Sequence, residues 1–108
     1  PMTVIVNENT ASAAEMFAAV LRDFGKASVV GTQTFGKGIM QVTQSMPSGG
    51  ALTLTVATYQ TTKGECYHKV GIKPDEIVEA GEDAVDYSDP NPEKDPQLKK
   101  AIEMVQVK

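Results

Sequence analysis

The sequence is poor in the residues that could tie a small chain together covalently or through a metal. Its 108 residues include one cysteine, Cys66, and one histidine, His68. A single cysteine excludes an internal disulfide and a zinc site built from cysteines. Apolar runs are short, and the longest stops at Arg22, far below the roughly 20 apolar residues of a membrane-spanning helix. With 41% hydrophobic and 22% charged residues, the chain has the composition of one globular domain or of a piece of a larger one.

Positive charge is also in short supply. Lysine and arginine total 10 against 14 aspartates and glutamates, so the net charge is −4. The sequence has no cluster of basic residues interleaved with aromatics, the pattern that neutralises nucleic-acid phosphates. The composition therefore disfavours nucleic acid as a partner, and no residue pattern calls for a metal or a cofactor.

The first third of the chain has the pattern of a β-α-β unit. Residues 3–7 predict a strand that is apolar on both faces, as strands inside parallel sheets are. A helix is predicted over Ala13–Phe24, because large apolar residues recur at helical spacing. They are Met16, Phe17, Val20, Leu21 and Phe24. Gly25 ends this helix, and Ala27–Val30 predicts a second strand, parallel to the first with a right-handed crossover.

The middle of the chain predicts antiparallel strands. Ile39–Gln44 and Ala51–Tyr59 alternate between apolar and polar residues on either side of the turn Pro47–Gly50, which is typical of a hairpin. A short extended piece, Glu76–Val78, follows an irregular stretch. The acidic residues nearby, such as Asp75, are interpreted as solvated charges.

The whole chain is expected to have three parts. These are a main part, 1–80, an acidic Pro-containing linker, 81–95, and a closing segment, 96–108. The composition of the linker is typical of a mobile segment. The closing segment contains a helix, predicted over Gln97–Val107, that packs on the same domain. Because the first strand starts without a polar lead-in, we expect that the sequence begins inside a domain.

Ser12 lies at the predicted junction between the first strand and the helix. With Glu15 three residues later, it has the spacing of a capping box, in which both side chains satisfy free N–H groups at the helix start. The same position suits a nucleophile, because the free N–H groups and partial positive charge of a helix N-terminus can stabilise an oxyanion. For this segment taken alone, capping is the commoner role.

The loop Gly31–Gly38 is rich in glycine and carries Lys37. Its spacing approaches that of a phosphate-binding P-loop, but Gly38 stands where a magnesium-binding hydroxyl belongs, and a strand rather than a helix is predicted to follow. We interpret that likeness as accidental. Lys37 is either a solvated loop lysine or an inward one, whose amine Gln41 could orient. On a straight strand the two would be about 13 Å apart, so contact needs a turn at Gly38, and Gln41 could equally face water.

His68 and Cys66 offer little support for catalysis. No carboxylate lies near His68 in the sequence to orient its ring, so we interpret the histidine as a surface or partly buried residue. Cys66 and His68 would share one face of a strand, but no electropositive surroundings that would activate the thiol are visible.

The order of these segments resembles the carboxyl-terminal processing proteases, the S41 serine peptidases that include the tail-specific proteases. The resemblance covers about residues 3–80 and rests on five segments in the family's order. They are VIVNENTASAAE (4–15), DFGKASVVG (23–31), TFGKGIMQ (34–41), LTLTVATYQT (52–61) and GIKPD (71–75). The gap of 25 residues from Ser12 to Lys37 and of 4 residues from Lys37 to Gln41 matches as well.

The resemblance implies a ClpP/crotonase-like α/β core, here a β-α-β start followed by antiparallel strands and a C-terminal helix, and a serine endopeptidase activity. It implies Ser12 as the nucleophile, Lys37 as the general base and Gln41 as the residue that orients the lysine. The backbone N–H of Ala13 is the implied oxyanion donor. In such a dyad the lysine must lose its proton near neutral pH, and burial lowers a lysine pKa by up to about 3–5 units. The candidate walls for that burial are Phe35, Ile39 and the apolar face of the helix.

Two usual parts of the family's machinery are not found in this sequence. A second oxyanion donor, a glycine, and the PDZ domain that binds substrate tails would both lie upstream. We therefore expect the isolated chain to be inactive or nearly so, and its uncovered apolar faces to promote self-association. The expected substrates are proteins or peptides recognised through their C-termini, and the resemblance implies a location outside the cytoplasm, in the periplasm or at the cell surface.

Two other classes of function remain open at this point. A non-catalytic binding or scaffold domain could keep the fold while losing Ser12 or Lys37, but both residues are present. A nucleotide-binding domain would show magnesium-dependent affinity for ATP or GTP at the loop Gly31–Gly38, and we expect none.

Overall fold

The computed structural model describes residues 1–81 and 88–106. Its elements in chain order are β1 Thr3–Val6, α1 Ala13–Asp23, β2 Ser28–Gly31, β3 Ile39–Ser45, β4 Ala51–Thr58, β5 Glu76–Ile77 and α2 Pro96–Gln106. Each predicted helix and strand is found within one residue of its predicted bounds, although Val107 and residues 82–87 of the predicted linker lie outside the described residues. Neither helix in the described ranges has the length and apolar character needed to cross a membrane.

Strands β1, β2 and β5 form a parallel sheet in the order β1-β2-β5, and α1 connects the first two as the predicted β-α-β unit. Val4 lies opposite Val29, and Val6 opposite Gly31. Asp75 extends the pairing, because its carboxylate Oδ2 accepts a hydrogen bond from the Val29 N–H at 2.8 Å and its own N–H donates to the Val29 carbonyl at 2.8 Å. Asp75 is exposed, as its interpretation as a solvated charge predicts, and it also holds β2 in place through these two hydrogen bonds.

The central strand β2 is covered on both faces. Val29 and Val30 point to opposite sides of the sheet, and both are 0% exposed. Val29 packs with Ala18 of α1, and α2 packs on both β1 and β2. This two-sided burial is the environment that an uninterrupted apolar strand predicts.

The packed face of α1 consists of small residues together with one carboxylate. Ala18 and Ala19 are buried with Glu15, whereas Phe17 and Phe24 are 61% and 64% exposed. The other large apolar residues that define the helix in the sequence, Met16, Val20 and Leu21, are half-buried, so the fully buried positions belong to smaller residues. Alanines allow a close approach between the helix backbone and the sheet, since the separation of packed elements depends on the side chains between them.

Helix α2 begins at Pro96, a residue favoured at the first helical position. Asp95 caps the helix, because its Oδ1 accepts a hydrogen bond from the Leu98 N–H at 3.0 Å. The buried Gln97 donates from Nε2 to the Val78 carbonyl at 2.9 Å. The helix is thus tied to the chain just beyond β5.

The described end of the predicted linker is a hydrogen-bonded turn. The N–H groups of Lys94 and Asp95 both donate to the Asn91 carbonyl at 3.0 Å, and the Glu93 N–H donates to Asn91 Oδ1 at 2.9 Å. The asparagine and aspartate that make the segment polar also satisfy its backbone here, and the expectation of a mobile linker over 81–95 stays a prediction.

Strands β3 and β4 form the predicted antiparallel hairpin, which is a sheet of its own. The register places Val42 opposite Leu54 and Thr43 opposite Thr53, so the two faces differ. One of them, here named the hairpin apolar face, carries Val42, Leu52, Leu54 and Val56. The other carries threonines, and the Oγ1 atoms of Thr43 and Thr53 lie 2.9 Å apart. Every residue of β4 is exposed.

Candidate active site

Ser12 lies in the turn between β1 and α1, directly before the first helical residue, Ala13. Its backbone has φ 56° and ψ −119°, a conformation that costs a non-glycine residue about 1–3 kcal/mol. Sharp strand-to-helix turns of this kind expose nucleophilic serines. The Ala13 N–H is one of the first four of the helix, which have no acceptor within it.

The buried carboxylate of Glu15 joins this turn to the loop that carries Lys37. The glutamate is 0% exposed. Its Oε2 accepts hydrogen bonds from the backbone N–H groups of Ser12 at 2.8 Å and Lys37 at 2.9 Å. Its Oε1 accepts from the Thr34 hydroxyl at 2.5 Å and the Gly36 N–H at 2.7 Å. Four donors fill the acceptor sites of a carboxylate, so hydrogen bonds offset the cost of burying it.

Ser12 and Lys37 are therefore neighbours in space although 25 residues separate them. Because both backbone amides are hydrogen-bonded to one oxygen, their nitrogen atoms lie at most about 6 Å apart. The two residues named as nucleophile and base thus come from adjoining segments of backbone.

The side chains of Lys37 and Gln41 are both exposed. Within the described residues the Lys37 ammonium makes no ion pair or hydrogen bond, and Phe35, an expected wall around it, is 65% exposed. Gln41 follows a bulge in β3 and donates from Nε2 to Thr55 Oγ1 at 3.4 Å. This chain alone therefore provides neither the expected burial of the amine nor, in its described part, a Lys37–Gln41 hydrogen bond.

The Lys37 loop is packed tightly against the chain that follows the hairpin. A Cβ on Gly36 would lie 2.8 Å from the Gly71 nitrogen and 3.0 Å from the Val70 nitrogen, and the Lys69 N–H donates to the Gly36 carbonyl at 2.8 Å. The loop then enters β3, not a helix. A P-loop needs a helix N-terminus at that point, so the likeness to one is accidental.

Sequence reasoning gave Glu15 only a capping role and did not single out Thr34. The capping interaction exists, in the bond from the Ser12 N–H. The other three donors come from 19 to 22 residues away. One signal was present, because Glu15 shares a helix face with Ala18 and Ala19. A carboxylate on the face with the smallest side chains faces the packed interior rather than the solvent.

Tyr67 and His68 lie in the segment that packs against this loop. The Tyr67 hydroxyl and His68 Nδ1 are buried without a hydrogen-bond partner among residues 1–81 and 88–106. Burial raises the pKa of Tyr67 above 10.0, and the negative charge of Glu15 raises it further. His68 is partly buried, as one of its two interpretations held, and Cys66 is exposed.

A groove of about 770 Å³ runs beside β1 and the start of α1. Its lining includes Ala11, one residue before Ser12, Ala14, two residues after it, and Leu98 of α2. In the described part of the chain, neither Ser12 nor Lys37 lines it. The groove therefore adjoins the candidate site without containing it.

Comparison with known proteins identifies the family. The sequence profile of peptidase family S41 matches residues 1–78. A carboxyl-terminal-processing protease of Synechocystis sp. is 46% identical over 79 residues, which are 73% of this chain and 18% of that protein. Another, of Picosynechococcus sp., is 39% identical over 105 residues, which are 97% of this chain and 25% of that protein. The chain thus spans a quarter or less of these relatives.

A solved structure gives the same result. The photosystem II D1 C-terminal processing protease has a TM-score of 0.70 and 39% identity over 73% of this chain and 20% of its own. This likeness confirms the predicted α/β, ClpP-like fold. By sequence and by structure, the chain belongs to peptidase family S41.

Proposed function

We propose that this chain is the nucleophile-bearing part of a serine endopeptidase in which Ser12 attacks the peptide carbonyl and Lys37 takes the serine proton. The observation that carries the proposal is the shared oxygen, Glu15 Oε2, which anchors the backbones of both residues. The unusual backbone of Ser12 at the start of a helix supports the same roles. After the attack, the scissile C–N bond would break, the leaving amine would take the proton from Lys37, and water would then hydrolyse the acyl-enzyme on Ser12.

Lys37 can act as a base only when its amine is neutral. An ordinary lysine, with a pKa near 10.4, is protonated at neutral pH, and Lys37 is exposed in this chain. We therefore propose that other parts of a full-length protease cover the amine and exclude water from it. Gln41 would then exchange its hydrogen bond to Thr55 for one to Lys37, and the Ala13 N–H would donate to the oxyanion.

The proposal extends to the protein as a whole. Its relatives are named carboxyl-terminal-processing proteases, and we propose that its own substrates are proteins recognised through their C-termini and that it acts outside the cytoplasm. Because this chain holds the dyad without a cover for Lys37, we propose that the chain alone has little or no peptidase activity.

The proposal is tested in the full-length protein that carries this segment. The substrate is an unfolded protein with an apolar C-terminus, compared with the same protein ending in charged residues. Ser12→Ala and Lys37→Ala should each lower kcat/KM by at least about 10³-fold. The matched controls Ser48→Ala and Lys26→Ala, which change exposed residues away from the site, should leave it within about twofold.

Lys37→Arg separates a base from a mere positive charge. Arginine keeps the charge but does not lose its proton in proteins, so this variant should be as inactive as Lys37→Ala. Full activity of Lys37→Arg would show that Lys37 is not the base.

The alternative is a non-catalytic binding domain, and the exposed amine of Lys37 is the observation that fits it. In that case Ser12→Ala and Lys37→Ala would change neither cleavage nor labelling by a serine-reactive fluorophosphonate, and Ser12 would be only the first residue before a helix.

A further inference from the structure

We propose that Glu15 is a positioning residue that sets the distance and orientation between Ser12 and Lys37 by holding both backbones on one carboxylate. The proposal rests on the proposed function of those two residues. It gives Glu15 no contact with the substrate and no proton to transfer.

The environment of Glu15 differs from that of a capping glutamate. Capping needs only the bond from the Ser12 N–H and leaves the rest of the carboxylate in water. Here the side chain is 0% exposed, and three further donors come from the segment that ends at Lys37. A stable helix start does not require those three bonds, but a fixed Lys37 loop does.

The connection continues beyond the carboxylate through Thr34. The Thr34 hydroxyl donates to Glu15 Oε1 and accepts from the Ile72 N–H at 2.7 Å, and the Thr34 N–H donates to the Ile72 carbonyl at 3.2 Å. Thr34 is 5% exposed, and Ile72 is 3% exposed. An uninterrupted series of hydrogen bonds thus runs from Ile72 through Thr34 and Glu15 to Ser12 and Lys37; its bonds are buried as far as Glu15 and partly buried at Ser12 and Lys37.

Such a support matters because reaction rates depend steeply on geometry. A misplacement of about 1 Å between reacting groups can cost about 10²-fold in rate, and residues held by buried hydrogen bonds keep their positions best. Lys37 lies in a loop without helix or strand structure, so its backbone needs fixing from outside the loop.

Glu15→Gln tests the hydrogen bonds at constant size. An amide group has one oxygen that accepts and one NH₂ that only donates. In one orientation the NH₂ faces the N–H groups of Ser12 and Lys37; in the other it faces the Gly36 N–H and the Thr34 hydroxyl. Neither orientation satisfies all four donors, so the variant should loosen the junction without leaving a cavity.

Thr34 allows a second test with an internal control. Thr34→Val removes the hydroxyl at nearly constant volume, and Thr34→Ser restores it. Thr61 is a matched buried threonine, 7% exposed, whose Oγ1 accepts a hydrogen bond from the Glu65 N–H at 3.2 Å, away from Glu15. Thr61→Val should lower the midpoint of thermal unfolding without changing kcat.

The experiment uses the full-length protein and four measurements: kcat, KM, the rate of Ser12 labelling by a fluorophosphonate, and thermal unfolding. Glu15→Gln and Thr34→Val should lower kcat and the labelling rate by about 10²-fold per folded molecule, with KM within about twofold, and Thr34→Ser should recover most of both. In a double-mutant cycle, Glu15→Gln added to Lys37→Ala should lower the residual labelling rate less than threefold, because a positioning residue acts through the group that it positions.

The outcomes separate the two proposals. If Thr34→Val and Glu15→Gln keep kcat within about threefold of wild type per folded molecule, or if Glu15→Gln has its full effect in the Lys37→Ala background, the positioning role is wrong. If Glu15→Gln does not fold, the comparison of Thr34→Val with Thr34→Ser decides by itself. If Ser12→Ala and Lys37→Ala are themselves active, the proposed function fails, whatever the Glu15 variants do.

Discussion

The β-α-β unit, residues 3–31, and the hairpin, residues 39–58, are built from similar apolar and β-branched residues. They differ in how far they bury the apolar side chains. In the first, Val6, Val29 and Val30 are at most 2% exposed. In the hairpin, Leu54 and Val56 are 53% and 55% exposed. The first region owes its stability to burial, whereas the second satisfies its backbone by pairing and leaves its apolar face without a partner in the described residues. An isolated two-stranded hairpin is marginal in water, so the hairpin apolar face needs a cover from elsewhere.

The largest expected difference in the free energy of unfolding comes from replacing one glycine by alanine in each region. Gly31 has φ +127°, and a Cβ there would lie 1.9 Å from the Val6 carbonyl oxygen. Gly31→Ala should therefore lower the free energy of unfolding by more than about 3 kcal/mol. Gly49, in the hairpin turn, has φ +92° and open space around it, so Gly49→Ala should cost only about 1–2 kcal/mol. Urea denaturation measures both, and equal losses would show that the two regions are not packed differently.

The next largest difference in stability is expected when a valine is replaced by alanine in a strand of each region. Val29 is 0% exposed and Val56 is 55% exposed. Val29→Ala should cost about 2 kcal/mol through lost burial and a cavity, whereas Val56→Ala should stay within about 0.5 kcal/mol. The measurement is the urea midpoint at an unchanged m-value. A loss at Val56 as large as that at Val29 would mean that the hairpin apolar face is buried in solution.

Measuring the self-association of the isolated chain tests the hairpin apolar face directly. Leu54→Lys places a charge on the hairpin apolar face and should weaken dimers of the isolated chain at least about tenfold, about 1.4 kcal/mol. Thr55→Lys, on the opposite face, is the control and should change the dissociation constant less. Sedimentation velocity over a dilution series gives both values. A wild-type chain that remains monomeric at the highest concentration contradicts the prediction.

The smallest expected effect on stability comes from a hydrogen bond that joins the end of α1 to the chain just beyond the hairpin. The Asp23 carboxylate at the end of α1 accepts a hydrogen bond from the Thr62 hydroxyl at 2.7 Å, just beyond the hairpin. This bond, aided by the positive charges of Lys63 and Arg22 and opposed by burial, lowers the pKa of Asp23 below 3.8. A lowered carboxyl pKa stabilises the fold above the unfolded pKa, and that stability is lost as the pH falls through the folded pKa.

Thr62→Val should therefore lower the free energy of unfolding at pH 7 by less than about 1 kcal/mol. The difference from wild type should shrink once the pH falls below 3.8, and Thr62→Ser should restore it. Unfolding free energies measured from pH 7 down to about pH 3 test this. A difference that does not depend on pH would show that Asp23 is not the group responsible.

Most of the fold could be predicted because its signals are local. The Ser12–Glu15 spacing, Gly25 and the β-branched segments mark helix and strand ends within a few residues of themselves. Alternation along β3 and β4, with a turn between them, predicts a hairpin through neighbouring contacts. The burial of Ala18 and Ala19 in place of Phe17 was not predicted, because helical periodicity identifies an apolar face without identifying which elements cover it.

The candidate site was predicted less completely than the fold. Ser12, Lys37 and Gln41 were proposed as site residues from the order and spacing of segments that resemble a family, and their roles stay a prediction. The sequence could not show that the Lys37 amine is exposed in this chain or that Gln41 bonds to Thr55, because both depend on which surfaces surround the side chains.

The sequence by itself therefore determined the helices, the strands, the hairpin pairing and the membership of peptidase family S41, since each depends on residues close together in the chain or on their order. Only the tertiary structure decided what Glu15 does. Its local environment predicts a capping residue, but the folded chain brings Thr34, Gly36 and Lys37 onto the same carboxylate. The physical reason is that a buried charge must find all its hydrogen bonds within the protein, and most of the donors that satisfy this one come from a distant loop.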